Sequence, residues 1–315
     1  MKKVAVIEGG YSKEKAISVK SAQTVFDNLD RTKFAPTRVL IDENEWAAYD
    51  DEGRYLIDKN DFSFVKNDLK VQFEYAFIVI HGTPGEDGKL QGYLDMVGIP
   101  YNTSSAAVMA LTFQKFHCNQ FLKNFGIKIP EATLIKSEHV INERQIIDKV
   151  KLPCFVKPTN GGSSFGITKV KKENELATAI KKALKYGTEI VIEENISGRE
   201  FTCGAYRDTE LIKAFPITEI ISENEYFDYD AKYNGKSQEI TPADLDEQLT
   251  NNIKDLTKKI YGILAMRGIV RMDYIINKEG TPYLIEINSV PGMSKESIVP
   301  QMSRAKNTRL SSILI

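Results

Sequence analysis

The stretch RMDYIINKEGTPYLIEINSVPG, residues 271–292, reads as two strands joined by a turn, and four of its strand positions are Arg271, Asp273, Glu286 and Asn288. Side chains alternate across a strand, so Arg271 and Asp273 share one face, as do Glu286 and Asn288. Pairing the strands brings the four together. Two carboxylates and an amide oxygen are hard ligands that suit Mg²⁺, which completes its shell with water and substrate phosphate. Arg271 would add positive charge where an anion develops, and Gly292 after Pro291 leaves a backbone amide open to a ligand. A solvated strand face with an ordinary salt bridge gives the same alternation, so the remaining segments must decide.

Lys157 follows the apolar run CFV and precedes PTNGGSSFG, where Gly161, Gly162 and Gly166 allow backbone N–H groups to approach a polyphosphate. Ser163 and Ser164 add hydroxyl donors. Structural turns have the same composition at least as often. A Walker-type loop is excluded, because YNGKSQ carries Asp230 where the first glycine is required. Lys115, in TFQKFHCNQF, falls on a helix. Glu193 and Glu194 end the apolar strand IVI, and Glu200 follows shortly after. Singly, each is as well explained as ordinary surface or strand-end structure. Their order is the informative feature: two lysines, a Gly/Ser loop, an acidic strand end, then the carboxylate hairpin.

The elements that must position these groups form an α/β chain. KKVAVIEGGYSKEKAISVKSAQTVFDNL reads strand, glycine turn, helix, and YAFIVIHGTPGEDGKLQGYLDMVGIPY repeats that logic. A first α/β domain over 1–102 follows, then a smaller domain over 103–190 containing the hairpin LPCFVKPTNGGSSFGITKV, then 191–315 with the carboxylate hairpin and a helical tail. At 315 residues, 42% hydrophobic and 27% charged, the chain exceeds what one core organises. Its 42 Lys and Arg nearly cancel 43 Asp and Glu, leaving no general attraction to nucleic acid or acidic lipid. Cys118, Cys154 and Cys203 lie far apart and form no CxxC pair, which argues for a reducing cytoplasm. The opening MKKVAVIEGG holds no apolar run long enough for a signal peptide or membrane span.

Taken together, VAVIEGGYSKEKAIS, HGTPGEDGKLQGYLDMVGIPY, FVKPTNGGSSFGITKV, VIEENISGREF, FDYDAKY and RMDY with LIEINSVPGMSKESIVP resemble the ATP-grasp superfamily, and within it the D-alanine:D-alanine ligases. The resemblance covers nearly the whole chain. It implies a three-domain ATP-grasp architecture with a Rossmann-like N-terminal domain, and ATP held between the central and C-terminal domains. Lys115, Lys157 and the phosphate-loop Ser163 with Ser164 match the ATP side, as do Glu193, Glu194, Ile196 and the ribose-side Glu200. Lys232 and Tyr233 match a mobile loop over the nucleotide. Asp273, Glu286 and Asn288 match ligands of Mg²⁺ or Mn²⁺. Arg271 and the Gly292 amide match the groups around a tetrahedral intermediate. Glu14 with Ser297 matches the pair that holds the amino acids, beside His81 and Ile298. The implied reaction joins two D-alanines through an acyl phosphate, for peptidoglycan precursors, in a cytoplasmic homodimer. The sequence departs from the family at Gln114, where Asp is usual, at Ser289, where Thr is common, and at Lys295, where small or neutral residues are frequent.

Overall fold

β1 (Lys2–Gly9) is buried without a break from Val4 onward, the pattern of a parallel strand covered on both faces. The computed structural model describes residues 1–136, 142–159, 166–222 and 237–314. α1 (Lys15–Asn28) follows β1 and returns the chain to β2 (Phe34–Ile41), which lies parallel to β1. β3 (Trp46–Tyr49) and β4 (Arg54–Leu56) add an antiparallel edge, β5 (Ser63–Lys66) and β6 (Leu69–Gln72) form a separate hairpin, and β7 (Tyr75–Ile78) pairs parallel to β1 on its other side. The sheet order is β4-β3-β2-β1-β7. The loops leaving β1 and β7 therefore emerge at the same carboxyl edge, where open α/β sheets hold ligands.

After α2 (Lys89–Met96), α3 (Ala106–Phe113) and α4 (Lys115–Lys123), a second sheet is built from β8 (Ala132–Lys136), β9 (Cys154–Pro158), β10 (Thr168–Val170) and β11 (Glu189–Glu194), in the order β10-β9-β11-β8. α5 (Glu143–Val150) and α6 (Leu176–Ala183) pack on it; α6 buries Leu176, Ala179, Ile180 and Ala183, one stripe at helical spacing. β11 pairs with β8 as far as Glu193 and with β9 as far as Glu194. The chain then passes through 195–197 into β12 of the next sheet.

The third sheet, antiparallel, contains β12 (Gly198–Asp208), β13 (Leu211–Ser222), β14 (Ser237–Ile240), β15 (Val270–Asn277) and β16 (Pro282–Asn288), ordered β14-β13-β12-β15-β16. α7 (Glu247–Ile263) is capped by Asp246, whose carboxylate accepts from Leu249 N at 2.8 Å, and α8 (Ile298–Ala305) follows the hairpin. Along β15 burial alternates residue by residue. Val270, Met272, Tyr274 and Ile276 join the core that α7 covers through Ile253, Ile260 and Tyr261, which turns Arg271 and Asp273 to the opposite face. The three cysteines are buried and free. No helix among the described residues is long and apolar enough to cross a membrane.

Candidate active site

The hairpin register sets Arg271 opposite Asn288 and Asp273 opposite Glu286, with an irregularity between Asp273 and Tyr274. Asp273 is the hub. Arg271 grips it with a fork, Nε to Oδ1 at 2.9 Å and a terminal nitrogen to Oδ2 at 3.0 Å. Thr202 on the neighbouring β12 donates to Oδ1 at 2.6 Å, and Asn288 Nδ2 donates to Oδ2 at 3.0 Å. Because the Asn288 amide nitrogen is committed to a carboxylate, its oxygen remains the acceptor end. Two carboxylates and an amide oxygen on one face fit a hard dication with room for water and phosphate. Among the described residues no cluster of three or more His, Cys, Asp or Glu offers a competing site.

Lys115 is the first residue of α4. Its N–H donates to Thr159 O at 3.0 Å, just past the end of β9, so the second sheet fixes where that helix starts. The Lys115 ammonium then reaches Glu286 Oε2 at 3.3 Å, across to the third sheet. A cavity of about 340 Å³ opens here, and Glu14, His81, Lys115, Arg271, Glu286, Asn288, Gly292, Ser297 and Ile298 all line it. Burial works against the charge on Arg271, but Asp273, Glu286 and Glu239 outweigh it and raise its pKa. Gly292 lies close to Ser297: a Cβ there would stand 2.8 Å from Ser297 Oγ and would push that hydroxyl aside.

The remaining nucleotide-side residues lie outside that lining. Lys157 and Glu193, both buried, form an ion pair between β9 and β11. Glu194 accepts from Glu131 N at 3.2 Å, Ile196 is half-buried in the link to β12, and Glu200 sits on β12 opposite Ile275. Ser163, Ser164, Lys232 and Tyr233 lie outside the described residues. The three departures have distinct settings. Ser289 Oγ keeps a hydroxyl contact with Thr112 Oγ1 at 3.0 Å. Lys295 lines a separate surface cleft. Gln114 precedes α4 with Oε1 buried and no partner among the described residues.

The profile of the D-ala D-ala ligase N-terminus matches residues 3–104 of this chain, and that of the D-ala D-ala ligase C-terminus matches residues 121–315. The chain belongs to the D-alanine–D-alanine ligase family. It is 45% identical over 312 residues to the D-alanine–D-alanine ligase of Phocaeicola vulgatus, covering 99% of this chain and 96% of that relative. Among solved structures it is similar to the VanG D-Ala:D-Ser ligase from Enterococcus faecalis, with a TM-score of 0.88, 30% identity, and coverage of 99% and 97% of the two chains. The D-alanine–D-alanine ligase from Bacillus anthracis complexed with ATP superposes with a TM-score of 0.80 at 26% identity, covering 100% of this chain and 95% of that one. The fold is therefore ATP-grasp with an N-terminal α/β domain.

Two acids that sequence reasoning passed over line this ligase-family cavity, Glu86 and Glu239. Glu239 on β14 is held by Gln301 Nε2 at 2.6 Å, and burial raises its pKa. Glu86 was legible only as part of GTPGEDG, which reads as turn chemistry. Folding sets its two oxygens against two backbone donors, Gly82 N at 2.6 Å and Val290 N at 3.3 Å. Burial pushes the Glu86 carboxyl up to about 7, against the pull of the Gly82 N–H and with help from the charge of Glu14. A carboxyl whose folded pKa lies above its unfolded one favours the fold below the unfolded value and loses that contribution as pH rises through about 7. The melting temperature of Glu86→Gln minus that of the wild type should therefore climb between about pH 5 and about pH 8. Parallel melting curves across that range would remove Glu86 as the titrating group.

Proposed function

We propose that the chain joins two D-alanines to D-alanyl-D-alanine with conversion of ATP to ADP and phosphate, in the cytoplasm and as a homodimer, supplying peptidoglycan precursors. The observation that carries this reading is the single cavity in which Lys115, Glu286 and Asn288 stand beside Arg271, Gly292, Glu14 and Ser297. Phosphate chemistry and amino-acid chemistry share one space there.

In the first half-reaction the carboxylate of one D-alanine attacks the γ-phosphorus of ATP, the bond to the β-phosphate oxygen breaks, and an acyl phosphate and ADP result. Lys115 lies where negative charge must be carried, next to Glu286. Asp273, Glu286 and Asn288 are the residues that would hold Mg²⁺ or Mn²⁺, which when bound supplies charge neutralisation for the phosphates. Glu14 at the start of α1 suits the ammonium of an amino acid. Ser297 and Ile298 sit at the N-terminal end of α8, where backbone dipoles favour a carboxylate.

In the second half-reaction the amine of the other D-alanine, having lost a proton, attacks the acyl carbon, and phosphate leaves after a tetrahedral oxyanion collapses. In this reading Arg271 and the Gly292 N–H, which line the same cavity, donate to that oxyanion. Lys157, Glu193, Glu200, Ser163 and the Lys232–Tyr233 segment complete the nucleotide side in this proposal. The test is phosphate release from ATP and Mg²⁺ with D-alanine, L-alanine, D-serine, or D-alanine plus D-lactate, products being identified by mass. Release that requires D-alanine and yields the D,D-dipeptide is expected. ATP binding with no amino-acid-dependent turnover across the panel would overturn the reading.

A further inference from the structure

Gly292 lies in the loop after β16, and the peptide groups flanking it are held by side chains of the N-terminal α/β unit. Val290 O accepts from His81 Nδ1 at 2.9 Å, and Met293 N donates to Ser21 Oγ at 3.1 Å. Ser21 Oγ in turn lies 3.4 Å from His81 Nε2. A carbonyl can only accept, so Nδ1 carries the imidazole proton, and in the neutral ring Nε2 takes the Ser21 hydroxyl proton. Burial of His81 lowers its pKa and keeps the ring neutral, although Glu14 pulls the other way. The hydrogen bonds then run in one direction, from Met293 N–H through Ser21 and His81 to Val290 C=O. They close a ring around Pro291 and Gly292.

Glu86 adds the remaining anchor, because Val290 N donates to its Oε1 while Gly82 N holds Oε2. Pro291 has no N–H to fix. The peptides of Val290 and Met293 are thus the nearest handles on the Gly292 amide, and the N-terminal unit holds both. Ser21, Val290 and Met293 are all buried, which shields these bonds from bulk water.

We propose that Ser21, His81 and Glu86 are positioning residues that aim the Gly292 N–H at the acyl carbonyl, and that they control the second half-reaction separately from the first. The inference rests on the ligation reading above. An oxyanion donor acts only when aimed at the position the developing charge will occupy. Formation of the acyl phosphate places its charge on the phosphoryl group and the lysine side instead. Loosening the ring should therefore leave acyl-phosphate formation running while amine attack slows, and the stranded acyl phosphate is hydrolysed to D-alanine and phosphate. ADP then appears without dipeptide.

Two variants test this. Ser21→Ala removes the acceptor for Met293 N–H and the donor to His81. Glu86→Gln keeps side-chain size but turns an amide NH₂ toward one of two backbone N–H groups. In the full-length enzyme each is expected to lower dipeptide kcat about 10²-fold, the cost of one oxyanion donor, while ADP formed per dipeptide rises from about one to several and the KM for ATP stays nearly constant. Variants in which ADP and dipeptide fall together at a ratio near one would assign these residues a merely structural role and overturn the proposal. A wild-type enzyme that makes no dipeptide would instead sink the ligation reading, and this inference with it.

Discussion

Glu286→Gln is expected to lower D-alanine-dependent ADP formation about 10³-fold, a loss on the order of 4 kcal/mol of transition-state stabilisation. Glutamine preserves the shape of the side chain in the cavity and removes its charge. Glu286 faces Asp273 across the β15–β16 pair and meets Lys115 at 3.3 Å. One carboxylate and two neutral amides then remain to hold a dication that binds best through anionic oxygens. The variant should still fold, since Glu286 is turned away from the core that contains Leu284 and Ile287. Calorimetric titration of ATP should show the Mg²⁺ dependence of binding weakened, with the melting temperature close to that of the wild type. Near-normal turnover at unchanged Mg²⁺ would take Glu286 out of the metal platform.

That hairpin was the most legible part of the molecule, and the reason is periodicity. β15 alternates residue by residue, so sequence alone sets Arg271 and Asp273 on one face, and although β16 breaks its alternation where the register shifts, the pairing places Asn288 and Glu286 opposite them. The strand–turn–helix opening was legible for the same reason: its apolar run and glycine turn are local signals. What local signals do not carry is contact between distant segments. Thr202 on Asp273, Lys157 on Glu193, and the grip of Ser21, His81 and Glu86 on residues 290–293 join positions from 36 to 272 residues apart. A serine inside a helix and a glutamate inside a glycine-rich turn read as ordinary surface chemistry until folding sets the serine against Met293 and the glutamate on the cavity wall.

Arg271→Met should be comparably damaging to turnover, about 10³-fold, and for two separable reasons. The first is the loss of a donor to the oxyanion; Arg271→Lys, which keeps the charge but not the planar fork, should recover only part of it. The second is electrostatic. Arg271 is mostly shielded from solvent, forks onto Asp273, and feels Glu286 and Glu239 as well. Methionine fills much of the space but leaves those carboxylates facing one another without their shared cation, a defect that costs roughly 3 kcal/mol when a shielded pair is broken from one side. Folding stability should fall accordingly, in contrast to Glu286→Gln, where removing a carboxylate relieves the crowding of negative charge. Added Mg²⁺ should restore part of the lost melting temperature in Arg271→Met, because a dication beside Asp273 and Glu286 supplies charge that the methionine does not. A melting temperature that is unchanged by the substitution, or that falls and does not respond to Mg²⁺, would show that Arg271 is not the counter-ion of this platform.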